Sequence, residues 1–192
     1  MKVFITGASS GIGAALAAHY AARGAQLGLV ARREEALAEV ARTLPGPPAC
    51  YLADVAAAQA MQDAARDFMA RFGVPDIVIA NAGVSVGTLT EHAEDIEVFG
   101  RVMQTNVVGL AATFHPFIAP MREAGRGRLA GIASVAGMRG IPGAGAYSAS
   151  KAAAMTYLEA LRVELKPSGV KVVTVCPGYV ATPMTAVNKY RM

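Results

Sequence analysis

Short apolar runs alternate along the whole chain with longer segments in which apolar positions recur every three to four residues. The apolar runs predict strands at residues 3–5, 27–30, 51–53, 76–80, 128–134 and 170–175. The longer segments predict helices at residues 12–23, 34–44, 54–72, 95–123 and 147–165. Strands and helices that alternate at this spacing form a parallel sheet with helices on both faces. We therefore expect an α/β fold with three αβα layers.

Turn-forming and capping residues mark the ends of several predicted helices. Gly24 and Gly73 each follow a helical segment and are predicted to end it. Asp54 is predicted to cap the third helix through its carboxylate. Pro116 and Pro120 fall inside the fourth helical segment. Because proline lacks a backbone N–H, we expect them to bend or interrupt that helix.

The composition narrows the class of protein. Of the 192 residues, 54% are hydrophobic and 17% are charged, and the mean hydropathy is +0.37. This composition is too apolar for a disordered chain and suits strands that are buried on both faces. The length allows one domain, residues 1–192, with a sizeable core. No apolar run reaches the roughly 18 residues that a membrane span requires, so we expect no span in this sequence.

The start of the chain and its cysteines indicate a cellular compartment. The apolar run after Met1 ends at Thr6, which is too early for a signal peptide. Cys50 and Cys176 lie far apart and favour two reduced thiols over a metal site. We therefore expect a cytoplasmic protein.

The charge pattern argues against nucleic acid and against metal. The net charge is +4, and basic residues cluster at Arg32, Arg33 and residues 122–128. The last cluster is predicted to be a helix end followed by a turn, where cations suit the helix dipole. Neither cluster has interleaved aromatic residues, so we expect no nucleic-acid partner. The three histidines show no metal-ligand spacing, so we expect no metal. They are His19, His92 and His115.

A glycine-rich segment, residues 6–13 with the sequence TGASSGIG, lies between the first predicted strand and the first predicted helix. Glycines let the backbone approach a pyrophosphate closely, and a helix N-terminus offers free N–H groups and the positive end of a dipole. An ordinary glycine-rich turn would have the same composition. Its place in the first βα unit favours a dinucleotide-binding loop.

Tyr147 and Lys151 stand four residues apart on one predicted helix, and so on one face of it. An ammonium group beside a phenol lowers the pKa of the phenol, which makes it a usable proton donor and acceptor near neutral pH. The spacing also arises by chance on solvated helices. Its interpretation depends on whether the rest of the chain supplies a cofactor site.

Together, these motifs resemble those of the short-chain dehydrogenase/reductase family. The glycine loop, Asn81-Ala82-Gly83 after the fourth strand, Ser134 after the fifth, the Tyr147/Lys151 pair and Pro177-Gly178 after the sixth occur in the family's order across essentially the whole chain. The resemblance implies a Rossmann-type doubly wound parallel sheet. It also implies hydride transfer between a nicotinamide cofactor and a carbonyl or alcohol substrate.

The end of the second strand bears on the choice between NAD and NADP. Ala31 stands where NAD-preferring relatives carry aspartate, and Arg32 follows it, with Arg33 beside it to assist. Arginine accommodates a 2′-phosphate, so NADP(H) is favoured over NAD(H). Two observations leave an alternative open. Both arginines would also suit a solvated helix start, and Ser10 stands where many NADP-preferring relatives have a basic residue in the glycine loop.

The resemblance assigns further residues to the site. Those predicted to bind the cofactor are Gly7, Ser9, Ser10, Gly11, Ile12, Gly13, Arg32, Arg33, Asp54, Val55, Asn81, Ala82, Gly83, Tyr147, Lys151, Pro177, Gly178, Val180 and Thr182. Those predicted to be catalytic are Asn106, Ser134, Tyr147 and Lys151.

The resemblance also implies a role for each catalytic residue. Tyr147 is the general acid/base, and Ser134 hydrogen-bonds the substrate oxygen. Lys151 lowers the pKa of Tyr147 and holds the nicotinamide ribose. Asn106 kinks its helix and holds a water that relays protons. At the nicotinamide end, the Val180 backbone and the Thr182 hydroxyl would grip the carboxamide.

Family members are longer than this sequence, and we expect residues 1–192 to lack the substrate-covering lid and the last strand. The final residues, 186–192, are expected to form a loop. The main functional hypothesis is an NADP-dependent carbonyl reductase or alcohol dehydrogenase with a small-molecule substrate. The alternative is a catalytically silent NADP(H)-binding sensor or scaffold, and a third possibility is an oxidoreductase held at a membrane surface by further residues. The resemblance also implies a homodimer or homotetramer.

Overall fold

The computed structural model of the protein describes residues 1–186, and a six-stranded parallel sheet forms its centre. The strands are β1 (Lys2–Thr6), β2 (Gln26–Ala31), β3 (Ala49–Leu52), β4 (Ile77–Ala80), β5 (Gly127–Ile132) and β6 (Val170–Val175). Their order across the sheet is β3-β2-β1-β4-β5-β6. The order reverses between β1 and β4, which is the doubly wound Rossmann arrangement. The predicted fold class is therefore confirmed.

Helices cover both faces of the sheet. They are α1 (Gly11–Ala21), α2 (Glu34–Thr43), α3 (Ala58–Phe72), α4 (Asp95–Met103), α5 (Gly109–Glu123) and α6 (Gly145–Leu165). Residues of β1 alternate between the two faces, as the pleat of a strand requires. Val3 and Ile5 pack in the core shared with Leu37 of α2. Phe4 points to the opposite core, where its ring lies 5.4 Å from Phe68 of α3, centroid to centroid.

The register of β1 places the ends of the central strands side by side. Thr6 pairs with Val30 of β2, and Ile5 pairs with Ile79 of β4. The loops that follow β1, β2 and β4 therefore leave the sheet at the same edge. Ligands of open parallel sheets bind at this edge, outside the carboxyl ends of the strands and at the point of strand reversal.

One prediction about a helix boundary was wrong, and another was wrong in part. Asp54 does not cap α3, because its Oδ1 accepts a hydrogen bond from the N–H of Ala56 at 2.9 Å and closes a turn ahead of the helix. Pro116 and Pro120 do not interrupt α5, which continues to Glu123. These prolines lie four residues apart on one partly exposed face, so the carbonyls that they leave unpaired can reach water.

The interruption of the long helical region lies instead at Asn106. Residues Gln104–Val108 form a π-helical segment between α4 and α5. Segments of this kind are rare and frequently occur at functional sites. Asn106, which the resemblance implies kinks its helix, therefore lies within a segment of altered helical geometry, whereas the proline pattern pointed to a different place.

Some sequence-based expectations concern parts of the chain beyond this description. The prediction that residues 186–192 form a loop falls, after Ala186, outside the described residues. From Met1 to Ala186, no helix is both long and apolar enough to cross a membrane.

Candidate active site

A cleft of about 320 Å³ opens at the sheet edge where the strand order reverses. The predicted site residues that line it are Gly7, Ser9, Ser10, Gly11, Ile12, Arg32, Arg33, Asp54, Val55, Asn81, Ala82, Gly83, Ser134, Tyr147, Lys151, Pro177, Gly178, Val180 and Thr182. Gly13 and Asn106 lie behind this lining. The tertiary structure therefore brings the glycine loop and the Tyr147/Lys151 pair into one cleft.

The glycine loop packs too closely against its neighbours to accept side chains. Gly7 has a φ of +67°, and a Cβ on it would lie 2.7 Å from Cα of Ala82. A Cβ on Gly13 would lie 2.2 Å from the carbonyl oxygen of Gly7. Asn81 holds this arrangement, because its Nδ2 donates to the carbonyls of Thr6 at 3.0 Å and Gly7 at 3.1 Å. The loop is a preformed cradle at the N-terminus of α1.

The two arginines after β2 have different partners. Arg33 Nη2 donates to the hydroxyls of Ser9 at 3.3 Å and Ser10 at 3.2 Å in the glycine loop. Arg32 turns the other way and forms an ion pair with Asp54, with 3.4 Å between Nη1 and Oδ2. Across residues 1–186, no carboxylate lies within ion-pair distance of Arg33. The cation that faces the glycine loop without an acidic partner is therefore Arg33.

Tyr147 is half-buried in the cleft. Burial raises the pKa of its phenol above the ordinary value of 10, and hydrogen bonding with Ser134 acts in the opposite direction. Burial has the larger effect on this pKa, and the role of Lys151 towards the phenol stays a prediction. At neutral pH the phenol therefore carries its proton and is a potential proton donor.

Lys151 is 5% exposed. Its Nζ donates to the carbonyl oxygen of Ile132, at the end of β5, at 2.7 Å. The same atom lies 5.7 Å from the centroid of the Tyr147 ring. Burial lowers the pKa of Lys151 to about 8, and the nearby Cys176 opposes that shift. The lysine is therefore held at the strand end, within reach of the cleft.

The buried side chain of Asn106 joins two walls of the cleft. Its Oδ1 accepts from the N–H of Val84 at 2.8 Å, and its Nδ2 donates to the carbonyl of Val84 at 2.9 Å. The same Nδ2 donates to the hydroxyl of Ser150 at 2.9 Å, and that hydroxyl donates to the carbonyl of Tyr147 at 2.7 Å. A chain of hydrogen bonds thus runs from the loop after β4 to the backbone of Tyr147.

Ser134 follows β5, next to the loop that leaves β6. Its Oγ accepts from the N–H of Ala136 at 3.1 Å, and the N–H of Val135 donates to the carbonyl of Pro177 at 3.1 Å. Further along the β6 loop, Thr182 reaches the glycine loop, where a Cβ on Gly11 would lie 3.2 Å from its Cγ2. The β6 loop therefore spans the cleft from Ser134 to Gly11.

Several residues of the site were not predicted from the sequence. Those that line the cleft are Val30, Ala31, Ala53, Val84, Thr105, Ile132, Ala133, Pro183, Met184 and Thr185. Ile132 and Val84 act through backbone atoms, which no residue type reveals. Ser150 had a signal, because it lies one turn after Tyr147 and is buried like Lys151.

The side chains that could bind a metal ion are dispersed over residues 1–186. Among the residues that the structure describes, no group of three or more His, Cys, Asp or Glu side chains is arranged to hold a metal ion. His19 contacts Arg23, whose Nη1 lies 3.1 Å from its Nδ1.

A sequence profile of the family described as "short chain dehydrogenase" matches residues 1–191. The match covers nearly every residue and includes all the motifs that line the cleft. The chain belongs to the short-chain dehydrogenase family. It is thus an oxidoreductase of that family by descent, with a Rossmann fold.

Relatives of this family member support the assignment. An uncharacterized oxidoreductase of Myxococcus xanthus is 40% identical over 98% of this chain and 75% of its own length. An 11-beta-hydroxysteroid dehydrogenase A of Sesamum indicum is also 40% identical, over 95% of this chain but 53% of its own length. The chain therefore spans only about half of some curated relatives.

Solved structures agree with the fold. A short-chain type dehydrogenase/reductase of Mycobacterium marinum superposes with a TM-score of 0.90 at 31% identity, covering 96% of this chain and 74% of that one. A short-chain dehydrogenase/reductase of Burkholderia phymatum in complex with NAD superposes with a TM-score of 0.90 at 30% identity, covering 96% of this chain and 68% of that one. This short-chain dehydrogenase therefore has the architecture of its structural relatives.

Proposed function

We propose that this protein is an NADP(H)-dependent oxidoreductase that acts on a carbonyl or alcohol substrate, with Tyr147 as the general acid/base. One observation carries the proposal. Tyr147, Lys151 and Ser134 line the same cleft as the glycine loop, so a bound dinucleotide and a reacting carbonyl can lie side by side. The silent sensor or scaffold is not favoured, because all four predicted catalytic side chains are present.

The residues of the cleft fit a dinucleotide. Gly7 and Gly13 lie too close to neighbouring protein atoms to carry a Cβ, so the loop stays compact at the N-terminus of α1. The first N–H groups of a helix favour an anion at this position. Asp54 and Val55 would lie against the adenine, and Asn81, Ala82 and Gly83 beneath its ribose. When bound, a nicotinamide cofactor supplies or accepts the hydride.

The protein's own residues would manage the proton and the developing charge. In the direction of reduction, Tyr147 donates its phenolic proton to the substrate oxygen. Ser134 donates a hydrogen bond to the same oxygen, and a donor of this kind lowers a barrier by about 3 kcal/mol. Lys151 holds the nicotinamide ribose, and its ammonium stabilises the phenolate that remains on Tyr147. Asn106 positions Tyr147 through Ser150.

The preference for NADP(H) rests on the end of β2. Ala31 offers no carboxylate to a ribose 2′-hydroxyl, and Asp54, which lines the cleft, is paired with Arg32. Arg33 and the hydroxyls of Ser9 and Ser10 form a cluster of donors around one point of the glycine loop. This cluster supports Arg33, rather than Arg32, as the main ligand of a 2′-phosphate, with Arg32 on the adenine side.

The cofactor proposal is tested by Arg33→Ala, with Arg32→Ala as the matched control. A hydrogen bond to a charged group contributes about 1.5–3 kcal/mol, so Arg33→Ala should weaken NADPH binding by roughly 10- to 100-fold. NADH binding should change by less than about threefold, because NADH has no 2′-phosphate. Isothermal titration calorimetry measures both. Tighter binding of NADH than of NADPH by the unaltered protein would refute the preference.

The catalytic proposal is tested with a panel of ketones and aldehydes. NADPH oxidation should be detectable with at least one of them, and Tyr147→Phe should reduce kcat by about 100- to 10,000-fold because it removes the general acid. Apolar carbonyl compounds are the first choice, because Val135 and Met138 beside Ser134 are exposed and apolar. Undiminished turnover by Tyr147→Phe would contradict the role of Tyr147.

The remaining expectations become part of the proposal. We propose one domain over residues 1–192 in a homodimer or homotetramer. Ile96 and Phe99 on α4 and Val163 on α6 are large, exposed apolar side chains that association would cover. The cytoplasmic location stays a prediction. The oligomeric state can be measured by sedimentation velocity.

A further inference from the structure

One hydroxyl group organises the part of the β6 loop that faces the cleft. Thr185 Oγ1 donates to the carbonyl oxygen of Val180 at 2.7 Å. It accepts from the N–H of Thr182 at 3.0 Å. A threonine hydroxyl has one donor hydrogen. The carbonyl of Thr182 also lies within reach, at 3.1 Å, but the shorter contact assigns the hydrogen to Val180, while a lone pair serves the N–H of Thr182. The single side chain thus ties together Val180 and Thr182, the two residues that the resemblance assigns to the nicotinamide end of the site.

The conformation of Thr182 follows from this arrangement. A threonine at the start of a helical turn usually bonds its own hydroxyl to an N–H three residues later. Here the bond is reversed, because the hydroxyl of Thr185 serves the N–H of Thr182. The Cγ2 methyl of Thr182 packs towards Gly11. Within residues 1–186, the nearest partner of the Thr182 hydroxyl is Thr185 Oγ1, at a long 3.4 Å.

The polar groups of the β6 loop that remain free are one hydrogen-bond donor and one acceptor. With the Val180 carbonyl and the Thr182 N–H engaged, the loop presents the N–H of Val180, which has no hydrogen-bond partner in the described part of the chain. It also presents the hydroxyl oxygen of Thr182. One is a donor and the other can accept. A primary carboxamide offers one acceptor oxygen and one donor NH₂ group, so the two patterns are complementary.

We propose that Thr185 is a positioning residue, which sets the β6 loop so that Val180 and Thr182 can bind the nicotinamide carboxamide. This inference rests on the proposed function, since it assumes a nicotinamide cofactor in the cleft. Thr185 acts through its two partners. It selects which of their polar groups face the ligand, and so fixes the orientation of the ring relative to Tyr147.

Without the Thr185 hydroxyl, the β6 loop should sample several conformations, and only one of them should bind the cofactor. Thr185→Val keeps the shape of the side chain and deletes both hydrogen bonds, so the Val180 carbonyl and the Thr182 N–H become free to turn towards the cleft. Apparent affinity falls in proportion to the population of the competent conformation. A loss of two hydrogen bonds corresponds to roughly tenfold weaker binding of NADPH.

Calorimetric titration tests this with two cofactors and three variants. The second cofactor is the reduced 3-acetylpyridine analogue of NADP, in which a methyl group replaces the amide NH₂. Thr185→Val should weaken NADPH binding by about tenfold and binding of the analogue by only about threefold, because the analogue keeps the contact with the Val180 N–H but cannot use the acceptor at Thr182. Thr185→Ser should restore the affinity for NADPH. Thr43→Val is the matched control, since its hydroxyl donates to Val40 at the same 2.7 Å far from the cleft.

The possible results separate the inference from the proposed function. Equal weakening of both cofactors by Thr185→Val would show a merely structural role and overturn the inference alone. Failure of Thr185→Ser to restore binding would also overturn it, because the methyl group rather than the hydroxyl would then matter. Absence of binding of either cofactor to the unaltered protein would refute the proposed function as well.

A measurement on the protein alone gives an independent readout. The N–H of Thr182 is protected by the hydroxyl of Thr185, so its hydrogen exchange should accelerate in Thr185→Val and return to the original rate in Thr185→Ser. Unchanged exchange at Thr182 in Thr185→Val would overturn the inference without reference to any cofactor.

Discussion

The buried ammonium of Lys151 makes the stability of this protein depend on pH in a defined direction. Burial lowers the pKa of Lys151 from its ordinary value of 10.5 to about 8. Between these two values the unfolded chain binds a proton that the folded chain does not, so the free energy of unfolding rises with pH. Each unit of pKa corresponds to about 1.4 kcal/mol, so the full cost of the buried charge is about 3 kcal/mol below pH 8.

Lys151→Met removes this cost while retaining most of the side-chain volume. The difference in unfolding free energy between the variant and the unaltered protein should therefore shift by about 2.5 kcal/mol between pH 7 and pH 10, in favour of the unaltered protein as pH rises. Loss of the Nζ bond to Ile132 changes the offset between the two curves. The slope difference comes from the titration of the ammonium.

Urea unfolding followed by circular dichroism at several pH values from 7 to 10 measures the difference. Lys171→Met is the control, because Lys171 is exposed on β6 and its removal should leave the pH dependence unchanged. Parallel curves for Lys151→Met and the unaltered protein over this pH range would refute the reasoning. They would show that Lys151 keeps its proton in the folded state.

Two further substitutions test the packing of the site. Gly13→Ala places a Cβ 2.2 Å from the carbonyl of Gly7, so it should destabilise the fold by about 1–3 kcal/mol and weaken NADPH binding in calorimetry. The control is Gly100→Ala in α4, where the added Cβ meets no atom within 4 Å and should stabilise the fold slightly. Similar melting temperatures for the two variants would contradict the close packing of the glycine loop. Asn106→Leu removes three hydrogen bonds to Val84 and Ser150 and should cost about 3 kcal/mol in urea unfolding. A cost below about 1 kcal/mol would show that these bonds do not hold the cleft walls together.

Prediction from the sequence succeeded where local chemistry and spacing decide the structure. Val170–Val175 forms a strand with the predicted bounds, because a run of β-branched residues between a glycine turn and a proline has few alternatives. Gly73 ends α3 with a φ of +79°, as a glycine after a helix predicts. The same locality explains why the glycine loop and the Tyr147/Lys151 pair are recognisable from residue types and spacing alone.

Prediction failed where a side chain or a backbone group had alternative partners. Asp54 had the right residue type for a helix cap, but a turn ahead of α3 took its carboxylate. The prolines of α5 were tolerated, and the helix changed its geometry at Asn106 instead. The residue types gave no sign that the carbonyl at the end of β5 accepts a hydrogen bond from the ammonium of Lys151.

The sequence by itself determined the alternation of strands and helices, the glycine loop and the family of this protein, because these depend on residue types at short, fixed spacings. Only the tertiary structure decided that Arg33 rather than Arg32 faces the glycine loop, and that the hydroxyl of Thr185 bonds both Val180 and Thr182. Those outcomes depend on the directions in which side chains leave their elements. Parallel strands bring together loops that are far apart in the chain, so the competition among their polar groups is settled only when the sheet has formed.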